Sequence, residues 1–302
     1  ELDREKPSMS DDTPLELVSH LTHPNGWWRD TAQQLLVQRA DEEAVPALRD
    51  LVLNSDNEKA RLHALWSLDG MEAMGVDGAV NTEIVMSALN DSWWAIRASG
   101  IRLAEPWLRE GDSAMKDAVM GLLEDQHWQV RRQLAASLGE LPEDQRFAPL
   151  IEVLSLYGDQ DQTTVDVAIS GLAGLEEEFL ELWLQQDQPH ADVAGVLAGA
   201  IAKPKDVETV EHLIDLATNA DLPEELRARM LHGMAQGLEG ADGRVRTDGV
   251  AGGRAGGAPP GMRPSRPPVI QVDISEEPTE LLALVEEAEG RLAEAASYAE
   301  AT

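Results

Sequence analysis

Cysteine is absent from the 302 residues. Disulfides, thiolate metal sites, a cysteine nucleophile and covalent haem attachment are therefore excluded for this chain, although the absence says little about compartment. Basic residues are scarce: 24 Lys and Arg stand against 56 Asp and Glu, a net charge of -32. Duplex nucleic acid is held by clustered Lys and Arg, so this balance argues strongly against such a partner. It suits a chain kept apart from its own copies by repulsion. Aromatics are few and mostly of one kind, with eight Trp against two Tyr and two Phe. No apolar run approaches the ~18 residues of a spanning helix, and no signal peptide is visible, so this segment is not expected to insert into a membrane. It begins with Glu1 rather than Met, which reads as a piece of something longer.

What is present is a recurring pattern. The stretch His23-Pro24-Asn25-Gly26-Trp27-Trp28-Arg29-Asp30-Thr31-Ala32 combines a helix stop, a turn, paired tryptophans and an Arg that opens an amphipathic helix. Weaker copies follow at Asp91-Ser92-Trp93-Trp94-Ala95-Ile96-Arg97 and Asp125-Gln126-His127-Trp128-Gln129-Val130-Arg131, and Arg61 carries the pattern without the leading Trp. The arginines stand at 29, 61, 97 and 131, in steps of 32, 36 and 34. A period of about 34 residues marks a stacked array of helical pairs.

Taken in order, residues 1–13 read as a polar linker, and residues 14–240 as about seven helical pairs. Thr13 is placed to cap the first helix, with Pro14 at its first position and Glu16 at its third. That helix is expected to bury Leu15, Val18 and Leu21, and residues 70–78 read as loop. The fifth pair loses the Arg, with Val165 in its place; the sixth is rich in Ala and Gly and must pack closely; Arg227 restores the pattern in the seventh. Residues 241–272 are expected to be a flexible linker, because Gly, Ala, Pro and Arg without apolar period cannot offset the cost of ordering. Residues 273–302 are expected to carry a final amphipathic helix. The predicted fold is all-α, an α-solenoid in which each pair shelters its apolar face against its neighbours.

The Asp-x-x-Trp-x-x-Arg spacing resembles the HEAT repeat, a family in which the Asp and Arg tie adjacent repeats together. The resemblance makes Arg29, Arg61, Asp91, Arg97, Asp125, Arg131 and Arg227 a structural ladder, and a once-per-repeat polar residue is itself better explained by stacking than by catalysis. Trp94 and Trp128, three residues before an Arg, are expected to anchor helix starts. Trp27, Trp93 and Trp107 are less accounted for by the period, and together with His63 they are candidates for a docking surface.

No catalytic or metal-binding residues are assigned. Glu16, His20 and His23 share a helical face with metal-ligand spacing, but Pro24 follows directly and a solvated or capping role outweighs it. Asp159-Gln160-Asp161 imitates the start of a calcium loop and fails at Thr164 and Ser170, where Gly and Glu are needed. No phosphate-binding Gly loop or nucleophile elbow appears.

A narrower resemblance lies in residues 21–33, in Ala44-Val45-Pro46-Ala47-Leu48 and in Arg61-Leu62-His63-Ala64-Leu65-Trp66. These runs are similar to the helical-repeat segment of the large membrane-bound dehydrogenase-like, haem-binding proteins of planctomycetes and their relatives. The likeness is specific over roughly residues 5–70 and weaker to about 240. It implies a β-propeller before this chain, a c-type cytochrome domain after it, and a periplasmic or cell-surface location. Haem c, and pyrroloquinoline quinone in the propeller, would then sit in neighbouring domains, with no cofactor in this segment. The role so implied is a non-catalytic scaffold that links or docks other domains of the same polypeptide or a protein partner. The alternatives are an independent HEAT-type adaptor and, more remotely, a HEAT-like DNA glycosylase, which needs the repeated arginines on one open surface. A phycobilin-lyase-like repeat protein is a further reading with no specific residue behind it.

Overall fold

The computed structural model describes residues 8–204 and 206–240, and every regular element among them is helical. The chain divides into two compact units, Glu1–Leu175 and Glu176–Thr302. The expected linker at 241–272 and helix at 273–302 lie outside the described residues.

The first unit holds five helical pairs: α1 (Pro14–His20) with α2 (Gly26–Arg39), α3 (Val45–Asn54) with α4 (Glu58–Ala73), α5 (Thr82–Leu89) with α6 (Trp94–Leu103), then, after a short extra helix α7 (Glu105–Arg109), α8 (Ser113–Met120) with α9 (Trp128–Leu138), and α10 (Glu143–Tyr157) with α11 (Gln162–Ser170). The second unit holds two: α12 (Glu176–Leu184) with α13 (Ala191–Ala202), and α14 (Val207–Ala217) with α15 (Glu224–Gly240). Both are stacks of helical hairpins, the α-solenoid class.

Short polar side chains start seven of these helices by accepting the orphan N–H groups of the first turn. Thr13 and Glu16 form a reciprocal capping box, and Asn25, Asn57, Asn81, Asp112, Asp161 and Asp206 each cap a later helix. In the first unit the second helices α2, α4, α6, α9 and α11 pack on one another in succession. Leu36, Leu65, Leu68, Ile96, Leu134 and Val165 are sealed between them, each contributing about 1.5–3 kcal/mol by leaving water.

Three expectations need correction. Leu15 is 51% exposed and Leu17 is fully buried instead; two residues apart on a helix point about 200° apart, and the buried face runs Leu17, Val18, Leu21. Residues 70–73 belong to α4 rather than to a loop. Gly70 is tolerated there because α2 comes so near that an added Cβ would meet Val37. Finally, α7 was not foreseen: Pro106 sits at the second position of that helix, where it lacks no needed donor.

The second unit is built on a different contact. Cβ atoms added to Gly195 and Gly199 of α13 would lie 2.9 Å from the Arg229 carbonyl oxygen and 2.8 Å from that of Gly233, so α13 and α15 touch backbone to backbone. This is the close packing expected of the Ala- and Gly-rich pair. Gly195→Ala is therefore expected to lower the stability of this unit by about 1–3 kcal/mol through overpacking, measured as a fall in the urea midpoint; an unchanged midpoint would show that the helices part without cost.

Candidate functional site

The repeated polar residues form a bonded series through the first unit. At successive hairpin corners a carboxylate accepts the backbone N–H two residues on: Asp91 from Trp93 at 2.7 Å, Asp125 from His127 at 2.9 Å and Asp161 from Thr163 at 3.2 Å. The preceding hairpin sends an arginine to the same carboxylate through two parallel N–H donors. Arg61 reaches Asp91 at 2.7 and 2.8 Å, Arg97 reaches Asp125 at 2.7 and 2.9 Å, and Arg132 reaches Asp161 at 2.9 and 2.7 Å. The remaining guanidinium nitrogen turns back to its own corner, from Arg61 to the Ser55 carbonyl and from Arg97 to that of Asp91, each at 2.9 Å. One side chain thus clamps two hairpins.

Electrostatics follow the geometry. Burial opposes ionisation of Asp125, but the Arg97 pair and the His127 N–H more than compensate and hold its pKa below the ordinary value. Arg132, helped by Thr164, brings Asp161 down to about 2.

The other expected ladder members behave differently. Arg131 donates to the Asp125 carbonyl at 2.7 Å and lies 4.8 Å over the Tyr157 ring, leaving the next carboxylate to Arg132. Arg29 donates to the carbonyls of His23 and Pro24 at 2.6 and 3.0 Å, but its Nε is buried without a hydrogen-bond partner. The cause is legible at the next corner. Ser55 stands six residues before Arg61, as Asp91 does before Arg97, and a serine offers no carboxylate. Arg227, in the second unit, likewise has a buried Nε without a partner among the described residues. Arg61 and Arg97 are bound between repeats, and within the first unit Arg29, Arg61, Arg97 and Arg131 are committed to carbonyls and carboxylates rather than gathered on an open basic surface.

The tryptophans divide otherwise than expected. Trp128 is 47% exposed and stacks under the Arg132 guanidinium at 4.1 Å rather than anchoring its helix on a preceding turn. Trp94 faces a groove and stacks with His127 at 5.9 Å. Trp27, also 47% exposed, meets Trp28 edge-on, and Trp93 meets Trp94 in the same way. His63 lies between α2 and α4, where Nδ1 hydrogen-bonds with Gln33 at 2.6 Å, and burial followed by the Arg29 charge lowers its pKa. Its side chain is 17% exposed. Glu16 is consumed by the capping box, and His20 pairs with Asp12 at 2.9 Å, so they do not converge with His23 on a metal. Among the described residues no group of three His, Asp or Glu is placed to hold a metal ion, and no helix is long and apolar enough to cross a membrane.

A groove lies where α7 interrupts the period. Trp66, Asp69 and Glu72 of α4, Arg102 of α6 and Trp107 of α7 border a concavity of about 600 Å³. A second, of about 420 Å³, shares Trp66 and Arg102 and continues past Trp94 and Ala98 toward Gln133 of α9. Of the expected docking residues only Trp107 is here. Trp66, Asp69, Arg102 and Glu105 were missed. The signal that would have found the first two is the spacing Leu62, Trp66, Asp69, Ala73, a second face on a helix whose other face is core.

Charges in the groove are unequally satisfied. Glu105 is 3% exposed and accepts from Ser137 at 2.8 Å, from Arg102 and from Arg109 at 3.4 Å. Arg109 also reaches Glu140 at 2.6 Å, and Glu72 accepts the Val80 N–H at 2.5 Å. The Asp69 carboxylate makes no hydrogen bond or ion pair with the described residues. Burial first, then Glu72, raises its pKa against the pull of Arg102.

No family model and no curated protein matches the sequence. Among solved structures, the chain is similar to the complex of CpcE and CpcF of phycocyanin lyase from Nostoc sp. PCC7120, at 16% identity and a TM-score of 0.40, over 95% of this chain and 97% of that one. It is also similar to a designed armadillo repeat protein, at 13% identity and a TM-score of 0.32, over 74% of this chain and 98% of that one. At these values the likeness says nothing of ligands.

Two outcomes test the ladder. Ser55→Asp is expected to give the orphaned Arg29 a carboxylate and to stabilise the first unit by about 1–2 kcal/mol, read from the urea midpoint and abolished by adding Arg29→Met. The second concerns acid. Unfolded Asp161 takes a proton near its ordinary 3.8 whereas the folded residue holds it off to about 2. The unfolded state therefore binds more protons in that window, so this residue's stabilisation is present above the unfolded value and lost as pH falls through the folded one. Between about pH 5 and pH 2.5 the parent chain is expected to lose more stability than Asp161→Asn; equal losses in parallel denaturation series would contradict the pairing.

Proposed function

We propose that the chain is a non-catalytic helical-repeat scaffold that takes a partner polypeptide in the groove across α4, α6 and α7. The observation that carries this reading is the division of labour among polar side chains. The repeated Arg and Asp residues are spent on tying hairpins together, while a concavity of about 600 Å³ is walled by Trp66 and Trp107. Tryptophan and arginine around a concave surface are the residues that dominate protein interfaces. In the same concavity Glu105 is held by Arg102, Arg109 and Ser137 and one oxygen of Glu72 by a backbone N–H. The carboxylates left over, Asp69 and Glu110, have no histidine or hydroxyl nucleophile beside them in the lining, which is not a catalytic constellation.

The finer reading rests on the dehydrogenase-like resemblance over residues 5–70. On it the scaffold is the middle module of a periplasmic or cell-surface redox protein, holding a quinone-dependent propeller and a haem c domain at a set separation. The chain itself would hold neither cofactor. An independent adaptor would use the same groove for a separate protein.

The two are told apart by the coding sequence around this segment: a propeller frame upstream and Cys-x-x-Cys-His downstream are expected, and a start just before Glu1 with a stop just after Thr302 would leave the adaptor. For the groove itself, the chain is to be mixed with the flanking segments expressed separately. One of them is expected to bind, and Trp66→Leu combined with Trp107→Ala to weaken the complex about tenfold or more by isothermal titration calorimetry. Undiminished binding by the double variant would remove the groove from the function.

A further inference from the structure

Resting on the docking reading above, we infer that the concavity between α4 and α7 is a subsite for a cationic side chain, Lys or Arg, of the docked polypeptide, and that the adjoining one takes an apolar side chain next to it. Shape is the first argument. Two concavities of about 600 and 420 Å³ share Trp66 and Arg102, and a string of connected hollows matches successive side chains of an extended chain better than one compact molecule.

The lining chemistry of the two differs. The smaller is apolar at Leu62, Trp66, Trp94, Ala95 and Ala98. The larger combines the rings of Trp66 and Trp107 with Asp69, Glu72 and Glu110. An aromatic face attracts a cation through its quadrupole, and it does so more strongly when water is excluded. Here the carboxylates add to that field.

An anionic occupant is disfavoured by the existing pairs. Arg102 and Arg109 already serve the buried Glu105, and Arg109 serves Glu140 as well. A phosphate or carboxylate would have to share them with Glu105, which is 3% exposed, and would also meet the field of Asp69, Glu72 and Glu110. Asp69, by contrast, feels Arg102 only at a distance. Its carboxylate is half-buried beside Glu72 with no hydrogen bond or ion pair to the described residues, and its raised pKa expresses the cost of that position. A guanidinium or ammonium group would relieve it. The net charge of -32 also draws a basic segment from a distance, with a rate that falls as salt rises.

The test uses the full chain and an acetylated, amidated Gly-Leu-Arg-Leu-Gly peptide, with counterparts bearing norleucine or glutamate in place of Arg, titrated by calorimetry. The Arg peptide is expected to bind at least about tenfold more tightly than either counterpart. Asp69→Asn, which keeps the shape and removes the charge, is expected to erase that preference, and Trp107→Ala to weaken the Arg peptide further. Trp27→Ala, outside the groove, is expected to leave binding as in the parent. Far-UV circular dichroism checks that each variant folds, and the peptide comparison on the parent chain needs no variant at all. Equal binding of the Arg and norleucine peptides, or an Arg preference that survives Asp69→Asn, would overturn the cation subsite and leave docking intact. Failure of all three peptides to bind would overturn both.

Discussion

Everything in the first unit depends on a guanidinium that answers to two hairpins at once. Its fork matches a carboxylate in one register only, so the Arg–Asp pair sets how far one hairpin is rotated and shifted against the next. Apolar burial supplies the attraction between hairpins, but leucines on adjoining helices slide past one another at little cost. The ion pair does not add much net stability over an apolar pair of the same volume, because both charges leave water. What it adds is intolerance of error. A mispaired stack would strand Arg61, Arg97, Asp91 or Asp125 in an interior where their side chains are at most 14% exposed.

The second unit shows that the same fold accepts another solution. Gly195, Gly199, Gly233 and Gly237 let α13 and α15 approach until main chain meets main chain. Shape alone then fixes the register, since any slip would bring side chains into the place of absent ones. An ion pair across these helices, Arg229 with Asp192 at 3.0 Å, is about half exposed and so contributes little. Glycine costs helix stability in both helices; contact over the whole length of the pair offsets it.

Most of the architecture was legible because it repeats. A period near 34 residues, polar caps and apolar faces placed seven hairpins close to where they stand. Partner choice within the ladder was not legible. Arg97 touches its own corner through the Asp91 carbonyl and bonds the Asp125 carboxylate of the following hairpin, whereas Arg131 touches its own corner through the Asp125 carbonyl and leaves the next carboxylate to Arg132. Nor could spacing reveal that Arg132 displaces Arg131, since that follows from Tyr157 lying where the Arg131 guanidinium stacks. Trp128 departs from its expected role because Arg132, one turn on in the same helix, lays its guanidinium over the ring and leaves it at the surface.

The groove is where repetition stops. The step from Arg61 to Arg97 is the longest of the series, and soon after it the chain inserts α7 between the third and fourth pairs. A strictly periodic stack presents the same ridge of second helices at every level and has little reason to be concave at one of them. The insertion breaks that uniformity. It brings Glu105, Trp107 and Arg109 opposite Trp66 and Asp69, and Glu105 then draws Arg102 and Ser137 into one network. None of these residues belongs to the ladder, so none is constrained by the register it keeps. A repeat scaffold gains specificity in this way, by one local departure that leaves the clamps on either side intact.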